Sequence, residues 1–115
     1  MSTAYNFTLT RGDSQLFVGT LTPGAGRTFA TPIAGITFTA KRAITNAAAL
    51  FTKIATIVSE SPTAISYSVT LDPADTSAEP SRDVSLVFDV ELVEADGWTS
   101  TPVRGVLLVT PDVTT

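Results

Sequence analysis

The ten residues Val84-Ser85-Leu86-Val87-Phe88-Asp89-Val90-Glu91-Leu92-Val93 decide the fold. Val84, Leu86, Phe88, Val90 and Leu92 alternate with Ser85, Asp89 and Glu91. Successive strand side chains point to opposite faces, so this run reads as a strand with an apolar face and a mostly polar one. Val87 and Val93 interrupt the polar face. Ala95-Asp96-Gly97 then supplies a hairpin turn, because Asp-Gly tolerates the positive φ such turns need. Val103–Thr110 reads as the closing strand.

Working outward, Ala64–Leu71 alternates with Ile65, Tyr67, Val69 and Leu71 on one face, after a turn at Ser61-Pro62-Thr63. Gly35–Arg42 places Ile36, Phe38 and Ala40 inward. Tyr5–Thr10 places Tyr5, Phe7 and Leu9 on one face. Gln15–Thr22 is another strand, but its run Leu16-Phe17-Val18 leaves the inner face open. Ile54–Ser59 reads as a short strand. Thr45–Phe51 reads either as one short helix near residues 46–52 or as an irregular crossing, with Thr45 or Asn46 able to cap it. Asp72–Thr76 reads as a turn or short helical turn, and Ser77–Arg82 as a polar loop. With 20 Thr, 11 Val and 6 Ile, the composition favours sheets, where β-branched side chains pack well. These features predict an all-β chain: one antiparallel sandwich of about seven to eight strands, a single domain over residues 1–115.

The composition also excludes chemistry. With no His and no Cys, the 115 residues offer no Ser-His-Asp or Cys-His catalysis, no thiolate or imidazole metal ligand and no disulfide. The net charge is −4, and Lys41-Arg42 is the sole adjacent basic pair, so nucleic acid is a poor expected partner. No apolar run approaches the ~20 residues of a membrane helix. Met1–Tyr5 lacks a basic start followed by an apolar stretch, so the expectation is synthesis and assembly in a cytoplasm. Charged residues make up 16%, against roughly 25% in soluble domains. The surface is therefore either rich in Thr or partly covered by a partner.

Several residues carry a sharper and a plainer reading. Arg11-Gly12-Asp13 matches an adhesion tripeptide, yet stands where the chain needs a β-turn. Asp72, Asp75, Asp83 and Asp96 offer calcium oxygens if they gather at one end of the sandwich, and otherwise serve turns and caps. Asp89 and Glu91 are paired carboxylates, but they lie on the solvent side of a strand with no cleft indicated. Trp98 either stacks on a sugar or anchors a partner, or else covers the end of the sandwich. Val87, Val93, Leu107 and Val109 are expected opposite the inward face, covered either by neighbouring subunits or by Thr-rich packing under a loop; with Trp98 they form the candidate interface. No catalytic residue, cofactor or metal site is expected.

The ordered motifs resemble a known group. Tyr5-Asn6-Phe7-Thr8 leads into Arg11-Gly12-Asp13-Ser14, followed by Gly35-Ile36-Thr37-Phe38-Thr39-Ala40-Lys41. Later come Val69-Thr70-Leu71-Asp72-Pro73-Ala74-Asp75-Thr76, Phe88-Asp89-Val90-Glu91-Leu92, Asp96-Gly97, Arg104-Gly105 and Val109-Thr110-Pro111-Asp112. This order resembles small tailed-phage structural proteins with an immunoglobulin-like β-sandwich, similar to the N-terminal domain of baseplate upper proteins and related tail accessory proteins. The resemblance implies a non-enzymatic virion protein of tail, baseplate or fibre. It would be assembled in the host cytoplasm with other virion proteins and further copies of itself. The alternatives are a carbohydrate- or receptor-binding module for host attachment, or a capsid decoration protein. An exposed aromatic platform would favour the binding module.

Overall fold

The computed structural model describes residues 3–4, 6–10, 12–42, 48–72, 75 and 84–110. They form β1 (Thr3–Ala4), β2 (Phe7–Thr10), β3 (Gln15–Leu21), β4 (Gly35–Lys41), β5 (Phe51–Ile54), β6 (Thr56–Ser61), β7 (Ala64–Leu71), β8 (Val84–Val93) and β9 (Thr99–Thr110). One sheet runs β9-β8-β4-β5, with β1 and β2 both added to the outer edge of β9; the other runs β3-β7-β6. Because β1 and β2 continue one another along β9, the architecture amounts to eight strands in two layers. The chain crosses between sheets after β2, β3, β5 and β7, and makes hairpins β4–β5, β6–β7 and β8–β9. That connectivity builds a two-sheet β-sandwich.

Alternation on β8 is realised: Leu86, Phe88, Val90 and Leu92 are buried, with Val84 packed at their margin. They face Phe17, Leu21, Ile65, Tyr67, Val69 and Leu71 from the second sheet in one core. At its centre the Phe88 ring stacks on Phe38 at 5.0 Å and meets Phe7 and Phe17 edge-on at 5.3 and 5.8 Å. Tilted and offset arrangements of this kind suit the ring quadrupoles.

Three expectations change. First, the sandwich is not wholly antiparallel: β1 and β2 lie parallel to β9, with Phe7 beside Leu107 and Leu9 beside Val109. The N-terminal segment thus closes the sheet on its last strand. Second, the described part of residues 46–52 holds no helix: residues 48–50 run irregularly, as the alternative reading has it, with Leu50 N–H donating to Ala40 O at 2.7 Å, and Phe51 and Thr52 belong to β5. Pairing with β4 and stacking of Phe51 on Phe38 outweigh local helix propensity. Residues 43–47 lie outside the described residues. Third, the parity of β9 is reversed. Leu107 and Val109 are fully buried, while Val106 and Leu108 take the outer face. The register fixes this, because Leu107 sits opposite Leu86 and Val109 opposite Val84.

Lys53 points inward from β5, opposite Phe38, and ties the sheets together. Its ammonium reaches Asp72 at 2.9 Å and Asp75, on a helical turn after β7, at 3.1 Å. The hydrogen bonds that it donates to Asp72 and then Asp75 raise its pKa above the ordinary value, and burial pushes the Tyr67 phenol up to about 12. Unfolded, these groups lose their protons near ~10. Above that pH the unfolded chain holds fewer protons than the folded one, so stability falls as pH rises. A urea midpoint that is steady from about pH 7 to 9 and declines between about pH 10 and 12 is expected, with a shallower decline in Tyr67→Phe. A midpoint unchanged to pH 12 would contradict a buried phenol.

Candidate interaction surface

The loop Thr22–Ala34 between β3 and β4, the turn Pro62-Thr63 and the hairpin Glu94–Trp98 cluster at one end of the sandwich. Phe29 N–H donates to Pro62 O at 2.8 Å, and Ala95 N–H to Ala30 O at 3.0 Å. The hairpin closes through Glu94 N–H to Trp98 O at 2.9 Å, with Gly97 at φ +88°. A side chain at Gly97 would be strained in that left-handed conformation, so the Asp96-Gly97 turn forms as the sequence predicts. Asp96 also accepts a bond from Trp98 N–H at 3.0 Å.

Glu94 is the buried charged residue of this end, 3% exposed. One carboxylate oxygen accepts Ala30 N–H at 2.8 Å; the other lies 3.7 Å from the Arg27 guanidinium. Arg27 in turn stacks over Trp98, 3.8 Å from the ring centroid. A buried carboxylate thus holds a cation, and the cation holds an aromatic ring. Trp98 remains 51% exposed, and no described residue accepts a hydrogen bond from the guanidinium. Beside the pair opens a cleft of about 830 Å³ between β3 and the first half of β9, lined by Gly19, Leu21, Phe29, Tyr67, Ser100 and Pro102 among others. Glu94→Gln keeps an oxygen for Ala30 and gives up the charge. About 1 kcal/mol of lost stability is expected by urea titration, together with a changed Trp98 fluorescence spectrum as Arg27 is released. Unchanged emission would mean that Glu94 does not hold the stack.

The other sequence candidates fall in separate places. Val87 and Val93 lie half-buried on the outer face of the first sheet. Val87 pairs with the exposed Val106 beside a hollow of about 350 Å³, lined also by Thr39, Lys41, Asp89 and Arg104. Leu107 and Val109, expected on that face, are in the core instead; Val106 and Leu108 stand in their place. Trp98 sits at the loop end, so the five candidates form no single patch. Asp89 and Glu91 face outward on β8, as the alternation implies. Asp96 lies at the loop end and Asp72 and Asp75 at the far end of β7, where they clasp Lys53. Asp83 lies outside the described residues. Of Arg11-Gly12-Asp13, Arg11 also lies outside them. Asp13 N–H donates to Thr10 O at 3.0 Å and Gly12 has φ +82°, a β-turn needing glycine's freedom in third position.

Two features escaped the sequence. Arg27 carried no motif, and its meeting with Trp98 and Glu94 depends on contacts 71 and 67 positions apart in the chain. The other is β3, the end strand of its sheet, whose Leu16 and Val18 are 59% and 64% exposed. Charge-free sequence over Gln15–Leu21 was the available signal. No protein-family model and no curated protein matches this chain.

Proposed function

We propose that this chain is a non-enzymatic structural or accessory protein of a tailed-phage virion, working through subunit contacts in a tail, baseplate or fibre assembly. The observation that carries the contact-making part is the uncovered end strand β3, with Leu16 and Val18 exposed on a chain poor in charge. Large exposed apolar side chains grouped on an open sheet edge mark interaction surfaces. The phage part rests on the ordered turn motifs and on the resemblance that they carry. The mechanism is mechanical: a rigid sandwich presents edges and apolar patches to neighbours in a symmetric particle.

A second reading is a carbohydrate- or receptor-binding module for host attachment. The Trp98–Arg27 platform favours it, since the ring is half exposed beside an open cleft. Quantitative mass spectrometry of purified particles tests the first reading. A fixed copy number in multiples of three, six or twelve is expected of a tail or baseplate component, whereas hundreds of copies would indicate capsid decoration. Absence from particles would remove the virion assignment. Glycan-array binding abolished by Trp98→Ala would establish the second reading.

A further inference from the structure

Four edges bound the two sheets, and three of them are blunted. The first sheet ends on one side in short strands β1 and β2, and on the other in β5, which turns a lysine inward. The second ends on one side in β6, which has an irregular register between Ile57 and Ser59 and carries Glu60. Short strands, inward charges and bulges are the devices by which proteins keep edges from pairing. The fourth edge, β3, has none: Gln15-Leu16-Phe17-Val18-Gly19-Thr20-Leu21 is seven residues long, pairs in unbroken register with β7, and holds no charge and no proline. Among the described residues no strand lies on its outer side.

We propose that β3 pairs antiparallel with β3 of a second copy about a two-fold axis at Val18, joining the two three-stranded sheets into one. This deepens the subunit-contact part of the proposed function and is independent of the virion part. A two-fold axis perpendicular to the sheet brings together residues of the same facing, so Val18 meets Val18 and Leu16 meets Thr20. This places the exposed apolar side chains in one cluster. On the inner side Phe17 meets Gly19, a large residue against an absent side chain. The ends are complementary in charge. Continuing the register sets the exposed Asp13 of one copy opposite Pro23 of the other, next to the turn that Arg27 closes onto Gly24 at 3.0 Å. Arg27 is 40% exposed; it engages Glu94 through a single long ion pair of 3.7 Å and lies over Trp98, which leaves N–H groups of its planar fork for a second carboxylate. The two-fold axis makes this pairing twice, so a chain of net charge −4 associates without setting like charges against each other along the seam.

The test is the mass of the full chain by sedimentation or light scattering across a dilution series, with circular dichroism to follow the fold. A dimer is expected, weakening with salt because of the Asp13–Arg27 contacts. Val18→Lys sets two lysines face to face on the axis, and about a tenfold or greater rise in the dissociation constant is expected with an unchanged spectrum, since Val18 is exposed in the single chain. Asp13→Asn should weaken the dimer less, and should abolish its salt dependence. Hydrogen exchange should protect amides of Gln15–Leu21 at high concentration and release them on dilution. A monomer at millimolar concentration overturns the proposal, and so does a dimer that survives Val18→Lys but dissociates in Val87→Lys. Failure of the virion reading shows differently, as a solution dimer that is missing from purified particles.

Discussion

Phe88→Ala is expected to leave most of the chain unfolded at 37 °C. Phe88 is 3% exposed and touches three other phenylalanine rings drawn from β2, β3 and β4, so its loss empties the place where both sheets and the N-terminal strand meet. Truncating a buried phenylalanine costs about 3–5 kcal/mol when the surroundings do not collapse. That is a large share of a total stability of roughly 5–15 kcal/mol. Opposite Phe88 stands Gly105, which has no side chain to move into the gap. Urea titration followed by circular dichroism measures the loss. The neighbouring Val87→Thr, on the outer face, should change the midpoint by far less. A melting temperature for Phe88→Ala within a few degrees of the parent would show that the aromatic cluster is not the stabilising centre.

Gly19→Ala should be the second most damaging small change. A methyl group there would lie 2.6 Å from the Tyr67 hydroxyl oxygen, 2.7 Å from Cζ and 2.9 Å from Cε1. The Tyr67 ring lies directly across the glycine, is 2% exposed and is packed against Phe17, so it has little room to withdraw. Overpacking of this kind costs about 1–3 kcal/mol. A double-mutant cycle with Tyr67→Leu isolates the cause: if the clash with the ring is responsible, most of the Gly19→Ala penalty disappears in the double variant. Equal penalties in both backgrounds would place the cost in the backbone.

Where a strand has one buried face and a clean alternation, its structure was legible in the residues. Ala64–Leu71 and Val84–Val93 have the expected bounds and facing. Where apolar residues occupy both parities, local pattern fails. Val106-Leu107-Leu108-Val109 satisfies either orientation, and only the cross-strand register with β8, interrupted between Val90 and Leu92, chooses one. Leu16-Phe17-Val18 is ambiguous for the same reason, and pairing of Phe17 with Val69 decides it. At Phe51 a long-range ring contact overrides an alanine-rich neighbourhood. The interaction surface was the least legible part. Trp98 could be singled out as a lone aromatic beside a turn, but its exposure, its Arg27 partner and the bare edge of β3 are properties of which strands become neighbours. No local period encodes that.

The parallel pairing of β2 with β9 also constrains when the protein can fold. Asn6 accepts a hydrogen bond from Val106 N–H, a contact between residues separated by 100 positions. During synthesis the first strand therefore waits for nearly the entire chain to leave the ribosome before its partner exists. Contacts of such long sequence separation carry a loop-closure cost and slow folding, while unpaired strands remain open to wrong partners. Translation proceeds at roughly 5–20 residues per second, so the hundred residues between β2 and its partner take on the order of ten seconds to emerge. Throughout that interval the uncharged β3 segment is available to neighbouring nascent chains on the same message. A symmetric partner that captures this edge soon after release would end the exposure once synthesis is complete.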